Sequence, residues 1–600
     1  MRRMSFFRPI KHSVGSASSF VIVIILAGFM GCVRSSSNET GGEAGTSAAS
    51  SPVAFEDVTN TAGLDGFRHR TGAFGKKWYP ETMGSGGGFI DYNGDGALDI
   101  LLVGGGVWPK SESSLKHALW LYRNDGDGTF TLVSDEAGLG EVDAYGFGVT
   151  VADYDNDGDS DFLLITLGRN LLFRNDGDGT FTEVGRDAGL GTTSRWSSAA
   201  VFFDADRDGL LDLYVGNYIE WSPEDELFCS LDGQEKAYCT PEEYDGVSAQ
   251  FYHNNGDGTF SEWTERVGMG TGPGKTLGAT LLDYNRDGWM DLVVANDLAR
   301  NLLYENDGDG TFTERGVVSG IAYNQNGATR AGMGVDVGVV DSTGNPTLFV
   351  GNFTREMIGV FRHQRKGLFV NRAASSHIGR PSRLSLTFGL FLFDTELDGD
   401  LDLFVANGHV QPNIEQFSEV VNYRQPAQLF LNEGGGQFRE LEAQKGPFTR
   451  PLAARGAAHG DYDGDGDVDV LITENKGGAR LWRNDAVRGA EGPNYLRVAL
   501  RGTESNRDGI GARVQLTAEN GRQERLVRTG SSYLSSSERV VTFGLGSARR
   551  VNRLTVRWPS GRIDRMEDVG ANQTLRVVER EGVVSRRTAG LSATPAEKGP

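Results

Sequence analysis

Residues 153–161 read DYDNDGDSD, with carboxylates at Asp153, Asp155, Asp157, Asp159 and Asp161. In a tight loop the side chains at positions 1, 3 and 5 point at one centre, and glycine at position 6 permits the sharp turn. A backbone carbonyl at position 7 and a carboxylate at position 9 complete the shell. Oxygen-only ligands in a flexible loop suit Ca²⁺ better than Mg²⁺ or a transition metal. Two carboxylates roughly 4–5 Å apart repel by about 3–4 kcal/mol at an effective dielectric near 20. Four converging on one point therefore call for a cation. The competing reading, a solvated acidic turn with splayed carboxylates, fits one copy better than a series.

A series is what the chain contains. The expected ligand sets are Asp91, Asn93, Asp95 and Asp99; Asp153, Asp155, Asp157 and Asp161; Asp204, Asp206, Asp208 and Asp212; Asp283, Asn285, Asp287 and Asp291; Asp394, Glu396, Asp398 and Asp402; and Asp461, Asp463, Asp465 and Asp469. They imply about six Ca²⁺ sites. A seventh copy, DSTGNPTLF from Asp341, is broken, and its site is expected to be empty. The six intact sets carry 22 carboxylates, matching the net charge of −22. Acidity placed in loops argues for cations, and no dominant basic face is implied, so nucleic acid is not an expected partner. Because every loop has the same local design, the calcium is read as pinning loops rather than as ligating a bound anion.

The elements that must hold such loops are legible in GFGVTVADYDNDGDSDFLLITLGRNLLFRNDGDGTFTEV. Its periodicity predicts strands near 147–152, 161–166, 171–174 and 180–184, with NDGDG supplying the positive-φ residues of a hairpin. Seven such units suggest an all-β fold, a seven-bladed β-propeller over 53–485. The last unit stops at RLWRND, while AFEDVTNTAGL at 54–64 has the form of an outer strand and its corner, so Phe55–Val58 is expected to close the ring. A composition of 38 % hydrophobic residues with 84 glycines fits a turn-rich β protein.

Strand alternation puts the acidic loops and the NDGDG turns on one face. The longer inserts, at 104–118, 217–250 and 407–427, fall on the other. An asparagine follows the second strand at Asn217, Asn296, Asn352, Asn407 and Asn475, with Trp221, Asp297, Arg300 and His409 nearby. Loops on a rigid scaffold often carry binding, and asparagines also cap turns. Both readings stand at this point.

The N-terminus carries Arg2, Arg3, Arg8 and Lys11 ahead of FVIVIILAGFM and Gly31-Cys32. A run this short suits an export signal better than a membrane span. Its ending resembles a bacterial lipoprotein signal over 1–32, with Cys32 lipidated; an ordinary signal peptide is the alternative. Residues 33–52 read as a flexible tether with a reach of roughly 25 Å. An exported, lipid-anchored envelope protein is the resulting expectation. Cys229 and Cys239 remain as a pair that an oxidising compartment would allow to form a disulfide.

After Asp485 the acidic loops stop, and 490–580 reads as a small β-sandwich, with 581–600 as a disordered tail. The acidic units are similar to FG-GAP/VCBS repeats. SNRDGIGARV, FGLG and WPSG resemble the ASPIC/UnbV domain, and VANGHV and CTPEEY also fit the cartilage acidic protein 1-like family. That resemblance implies a Ca²⁺-binding propeller with the aspartates above as ligands, and supplies no defined activity. The favoured function is a binding or adhesion module for a polysaccharide or surface protein. The alternatives are a scaffold in an envelope complex, or a calcium-dependent polysaccharide lyase or hydrolase using His409 and Arg300. No catalytic motif supports the last.

Overall fold

The computed structural model describes residues 53–72, 75–106, 118–191, 194–442, 446–487 and 492–588. The signal with Cys32, the tether, most of the first insert and the segment beyond 588 lie outside the described residues.

Among the described residues, seven four-stranded antiparallel units follow one another, and their innermost strands are Gly87–Ile90, Gly146–Ala152, Arg195–Phe203, Thr276–Leu282, Val335–Gly338, Thr387–Phe393 and Ala454–Gly460. Each innermost strand touches the next, and the last touches the first, which closes a ring. These strands are buried along nearly their whole length, so several, such as Thr387–Phe393, read as apolar runs rather than alternating ones, while Asp336 and Arg455 interrupt two others. Phe55–Asp57 pairs antiparallel with Ala479–Asn484, so the N-terminal strand completes the seventh blade.

The recurring sequence words have recurring jobs. In blades 1, 2 and 3 the phenylalanine that opens the short outer strand wedges toward the previous blade, beside the tyrosine at position 2 of that blade's acidic loop. Ring centroids lie 6.4 Å apart for Phe181 and Tyr92, 5.7 Å for Phe260 and Tyr154, and 5.7 Å for Phe130 and Tyr462. The AGL corner of one blade accepts the outer strand of the next, as Phe181 N donates to Ala137 O at 3.0 Å and Phe260 N to Ala188 O at 2.8 Å.

The asparagine that opens the NDGDG turn does more than the hairpin work expected of it. Asn175 Nδ2 donates to Ser160 O in its own acidic loop and, at 2.8 Å, to Tyr92 O in the previous blade. Asn124, Asn254, Asn306, Asn432 and Asn484 make the same inter-blade bond. Asn175→Ala is expected to lower stability by about 2–3 kcal/mol, because two buried carbonyls lose their donor. The exposed Asn255→Ala should change it by less than about 0.5 kcal/mol. Denaturant titration of both variants checks this, and equal effects would remove the inter-blade role.

The C-terminal domain is a sandwich of two four-stranded sheets, in the orders 541–546, 494–501, 573–578, 582–588 and 521–526, 513–518, 550–557, 563–570. Its core holds Leu496, Val514, Leu554, Val556, Leu575 and Trp558. The strand Gly582–Thr588 corrects the tail expected from 581, because it pairs along Gln573–Val578 and extends the sheet.

Nothing in the residue pattern anticipates how this domain meets the propeller. Its segment 528–538 enters the middle of the ring. Ser535–Ser536 pairs in parallel with Gly87 and Gly88 of blade 1. Thr529 Oγ1 donates to Phe202 O at 2.6 Å in blade 3, and Ser532 N to Val335 O at 2.9 Å in blade 5. Val149 N of blade 2 donates to Leu534 O, and Glu538 N to His459 O of blade 7. Tyr533, 1 % exposed, lies against Phe388 of blade 6 and donates to Met83 O at 2.9 Å. Glycine makes this approach possible: a Cβ on Gly86 or Gly148 would stand 1.9 or 2.3 Å from Leu534 O.

Candidate metal centres on the loop face

Each acidic loop is built by the same hydrogen bonds. The carboxylate at position 1 accepts the glycine N–H of position 6, as in Gly158 to Asp153 at 2.8 Å and Gly399 to Asp394 at 2.9 Å. The carboxylate at position 9 accepts two backbone N–H groups. Asp161 takes Tyr154 N at 3.1 Å and Asn175 N at 2.8 Å, and Asp99, Asp212, Asp291, Asp402 and Asp469 repeat the pair. Position 9 therefore locks the loop to the third strand of its own blade, a structural role beyond the ligand role expected of it.

Position 1 tells the other half. Asp91, Asp153, Asp204 and Asp283 each keep a buried Oδ1 without a hydrogen-bond partner, as does Glu396 Oε2 at position 3 of its loop. Burial leads the shifts that follow. It pushes Asp91 up to about 6, helped by Asp95, and Asp153 to about 8, helped by Asp508, Asp157 and Asp155. Asp204 and Asp99 also rise to about 8, and Asp394 to about 7, all mainly through burial. Orphaned carboxylate oxygens that would rather hold a proton are what a hard cation would satisfy.

Ligand atoms of Asp153, Asp155 and Asp161 lie within 4.8 Å of one another, as do those of Asp461, Asp463 and Asp465. In blade 3 the close group is Asp206, Asp208 and His253. His253, which sequence reasoning missed, sits 3.0 Å from Asp212 Oδ1 and stacks on Trp263, and its bond to Asp212 raises its pKa. Its only signal was the histidine just before NNGDG. In the broken blade 5 loop, Asp341 accepts hydrogen bonds from the Thr343 N–H and hydroxyl, and Phe349 stands at position 9. The donor set of the other loops fits Ca²⁺, with position 1 and the side chains at 3 and 5 as its holders.

The sandwich covers part of this face. Asp508 accepts Asp153 N at 2.9 Å, and Arg507 donates to Asn156 O at 2.7 Å. Arg513 pairs with Asp283, and Arg497 with Asp461 at 2.7 Å. Gly544 N donates to Asp394 Oδ2 at 3.0 Å, with Arg525 3.8 Å away. Loops of blades 2, 4, 6 and 7 are thus shared between the two domains.

The candidate partner residues are corrected by burial. Asn217, Asn296, Asn352, Asn407 and Asn475 are each at most 3 % exposed. Their amides cap turns: Asn217 donates to Ser248 O, Asn296 to Arg300 O, Asn352 to Met357 O, Asn407 to Pro426 O and Asn475 to Glu81 O. Asp297 is buried too, accepts the Tyr218 hydroxyl at 2.6 Å, and is pushed up by burial to about 7. His409 is 4 % exposed, accepts Gln411 N, and is lowered to about 4, mainly by burial. Arg300 pairs with Glu314 at 3.3 Å, in a different blade from His409. Trp221 is half-buried against Trp78 and Trp196. The turn-capping reading wins for the asparagines, because a second strand ending under an insert needs its last carbonyls and amides satisfied.

The exposed part of that face mixes apolar side chains with carboxylates such as Glu224, Asp225, Glu235, Glu415 and Glu419. The insert closed by the Cys229–Cys239 disulfide presents Leu227, Phe228 and Leu231, and the sixth-blade insert presents Phe417 and Val420.

Comparison with known proteins agrees with this construction. The FG-GAP-like repeat family matches residues 91–164, 153–215, 232–294, 283–350 and 394–472, together more than half of the 600 residues, and ASPIC and UnbV matches 502–584. Cartilage acidic protein 1 of Homo sapiens is 24 % identical over 439 residues, 69 % of this chain and 60 % of that protein. The Xenopus tropicalis protein is 27 % identical over 279 residues, 46 % of this chain and 40 % of that protein. The chain thus spans about 40–60 % of the length of these curated relatives. Among solved structures, the BP39L lectin from Burkholderia pseudomallei overlaps with a TM-score of 0.40 at 10 % identity, covering 67 % of this chain and 97 % of that one. An Agrocybe aegerita lectin, described for recognition of non-reducing terminal N-acetylglucosamine, overlaps with a TM-score of 0.36 at 15 % identity, covering 59 % and 81 %. Overlaps this loose say nothing about ligands. With both family matches falling on the blades and the sandwich described above, the chain belongs to the FG-GAP-like repeat family, in the form that carries an ASPIC and UnbV domain.

Proposed function

We propose that the protein is an exported, membrane-tethered binding module whose propeller is fastened by Ca²⁺ and which captures a polysaccharide or a surface protein on its insert face. The observation that carries this reading is the contrast between the two faces. One is occupied by the acidic loops and the sandwich. The other lifts Phe228, 68 % exposed, and Val420, 59 % exposed, on inserts rooted in a rigid ring. Exposed apolar groups held on a stiff scaffold favour capture over catalysis. Export is supported by the Cys229–Cys239 disulfide, since such bonds persist in oxidising compartments.

Full-length protein tested against an array of polysaccharides and envelope proteins, with Ca²⁺ and with chelator, checks this. Capture of intact ligand is expected, lost on chelation and weakened about tenfold by Phe228→Ser. Shortened or unsaturated ligand would instead establish a lyase or hydrolase.

A further inference from the structure

The charge of the chain is divided more sharply than its total suggests. Residues 494–588 hold eighteen arginines, no lysine and ten carboxylates, a surplus of eight positive charges in a chain of net charge −22. Seven of these arginines reach the propeller: Arg497 to Asp461, Arg507 to Asn156, Arg513 to Asp283, Arg525 to Asp394, Arg528 to Asp336, Arg539 to Ser160 and Arg587 to Gly96 O. Docking alone therefore does not account for the surplus.

Strand register shows where part of the remainder goes. In the sheet of 513–518, 521–526, 550–557 and 563–570, Thr517 lies opposite both Arg522 and Arg553, and Arg553 lies opposite Glu567. Thr555 lies opposite Gln515 and Arg565, and Arg557 opposite Arg513 and Ile563. Residues directly opposite share a face, and Val514, Leu516, Leu554 and Val556 fill the core on the other side. This face thus carries Arg522, Arg553, Arg557 and Arg565 against Glu524 and Glu567, while Arg513, at the end nearest the propeller, is taken up by Asp283. Arg565 is the diagonal neighbour of both Arg553 and Arg557, about 7–8 Å from each.

Like charges so placed on a sheet destabilise it. Yet Arg522, Arg553, Arg557 and Arg565 are all exposed, and among the described residues Arg522, Arg557 and Arg565 make no ion pair or side-chain hydrogen bond. Arg553 has only Glu567, at 3.6 Å and 70 % exposed. A face that keeps repelling charges without partners is shaped for an anion from outside. The exclusive use of arginine favours bidentate contacts to planar or tetrahedral oxyanions over a diffuse positive field.

We propose that this outer sheet face binds a polyanionic polysaccharide, one whose units carry carboxylate or sulfate groups, in an extended run along Arg553, Arg565 and Arg557. The exposed Thr517, and the half-buried Gln515 through its carbonyl oxygen, stand between the arginines as hydrogen-bonding partners for sugar hydroxyls. Nucleic acid is disfavoured, because the face has no aromatic side chain on which a base could stack, and the acidic propeller beside it repels a long duplex. The site is separate from the insert face and does not depend on it.

The test uses full-length protein with Ca²⁺ present, titrated with polygalacturonate, dextran sulfate, neutral dextran and duplex DNA at several salt concentrations. Binding to one or both acidic polymers is expected, weakening linearly in log–log form with salt, and which polymer binds more tightly identifies carboxylate or sulfate as the preferred group. Arg553→Gln/Arg557→Gln/Arg565→Gln should lose at least a hundredfold in affinity with the melting temperature unchanged or raised. Arg549→Gln/Arg576→Gln/Arg586→Gln, which removes equal charge elsewhere in the sandwich, should keep binding within about threefold. Equal losses in the two triple variants would reduce the attraction to bulk charge and overturn the site. Equal binding of neutral dextran, or tighter binding of DNA, would overturn the ligand class. Phe228→Ser should leave polyanion binding intact, so failure of the insert-face reading and failure of this one are told apart.

Discussion

Chelating Ca²⁺ from the full-length protein at pH 7.5 is expected to lower its melting temperature by about 15 °C. A ligand present at a hundred times its dissociation constant stabilises by about 2.7 kcal/mol per site, so the six proposed sites would contribute roughly 16 kcal/mol. With an unfolding entropy near 2.1 cal/mol/K per residue, a chain of this size loses about 1 °C for each kcal/mol. The chelated protein should also respond to pH in an unusual direction. In the folded chain Asp99, Asp153 and Asp204 sit near 8, raised mainly by burial, against about 3.9 when unfolded. Between those values the folded state holds more protons than the unfolded one, so stability is fully present below pH ~4 and is lost as pH rises toward 8. The drop caused by the chelator should therefore be larger at pH 8 than at pH 5.5. Calorimetry across that range is the check. A melting temperature indifferent to chelator at both pH values would leave the acidic loops as mere solvated turns.

The repeat made the blades legible because most of each blade is local: in blades 2, 4 and 5 the four strands lie within about 40 residues. The nine-residue spacing DxDxDGxxD recurs, with Asn or Glu at some positions, in all six intact acidic loops, while NDGDGTF or a near form follows in five of them. The closing strand was legible for the same reason, since Phe55 opens a copy of the outer-strand word that RLWRND lacks. Ligand candidacy could be read from spacing, but the double duty of position 9 could not. Asp161 looks like any other aspartate until Tyr154 N and Asn175 N are seen to converge on it. The recurrent asparagines misled for a related reason. A polar residue at a strand end reads equally well as a cap or as a surface, and only burial separates the two. Least legible was the entry of 528–538 into the ring. RTGSSYLSSSER has no periodicity, and its partners are glycines and backbone atoms hundreds of residues earlier, for which sequence spacing carries no signal.

That entry supports the second large effect. Tyr533→Ala is expected to destabilise the folded protein by about 3–5 kcal/mol, the usual cost of deleting a fully buried aromatic side chain. The cost should not be confined to the sandwich. Tyr533 lies against Phe388 of blade 6 and hydrogen-bonds the carbonyl of Met83, which leads into blade 1, while its neighbours Ser532 and Leu534 bond blades 5 and 2. A ring of blades resists opening wherever one element touches several of them at once, and this segment is such an element. Gly148→Ala should act on the same contact from the propeller side, because its Cβ would fall 2.3 Å from Leu534 O, a backbone atom that no rotamer change can move. Both variants should therefore weaken the two domains together. Wild-type protein is expected to unfold with near-ultraviolet signals from Trp482 of blade 7 and Trp558 of the sandwich lost in one transition. If either variant unfolded its sandwich separately while the propeller transition stayed in place, the segment would be a passive lodger in the channel. If both transitions shifted down together by the expected amount, it would be the pin on which the ring closes.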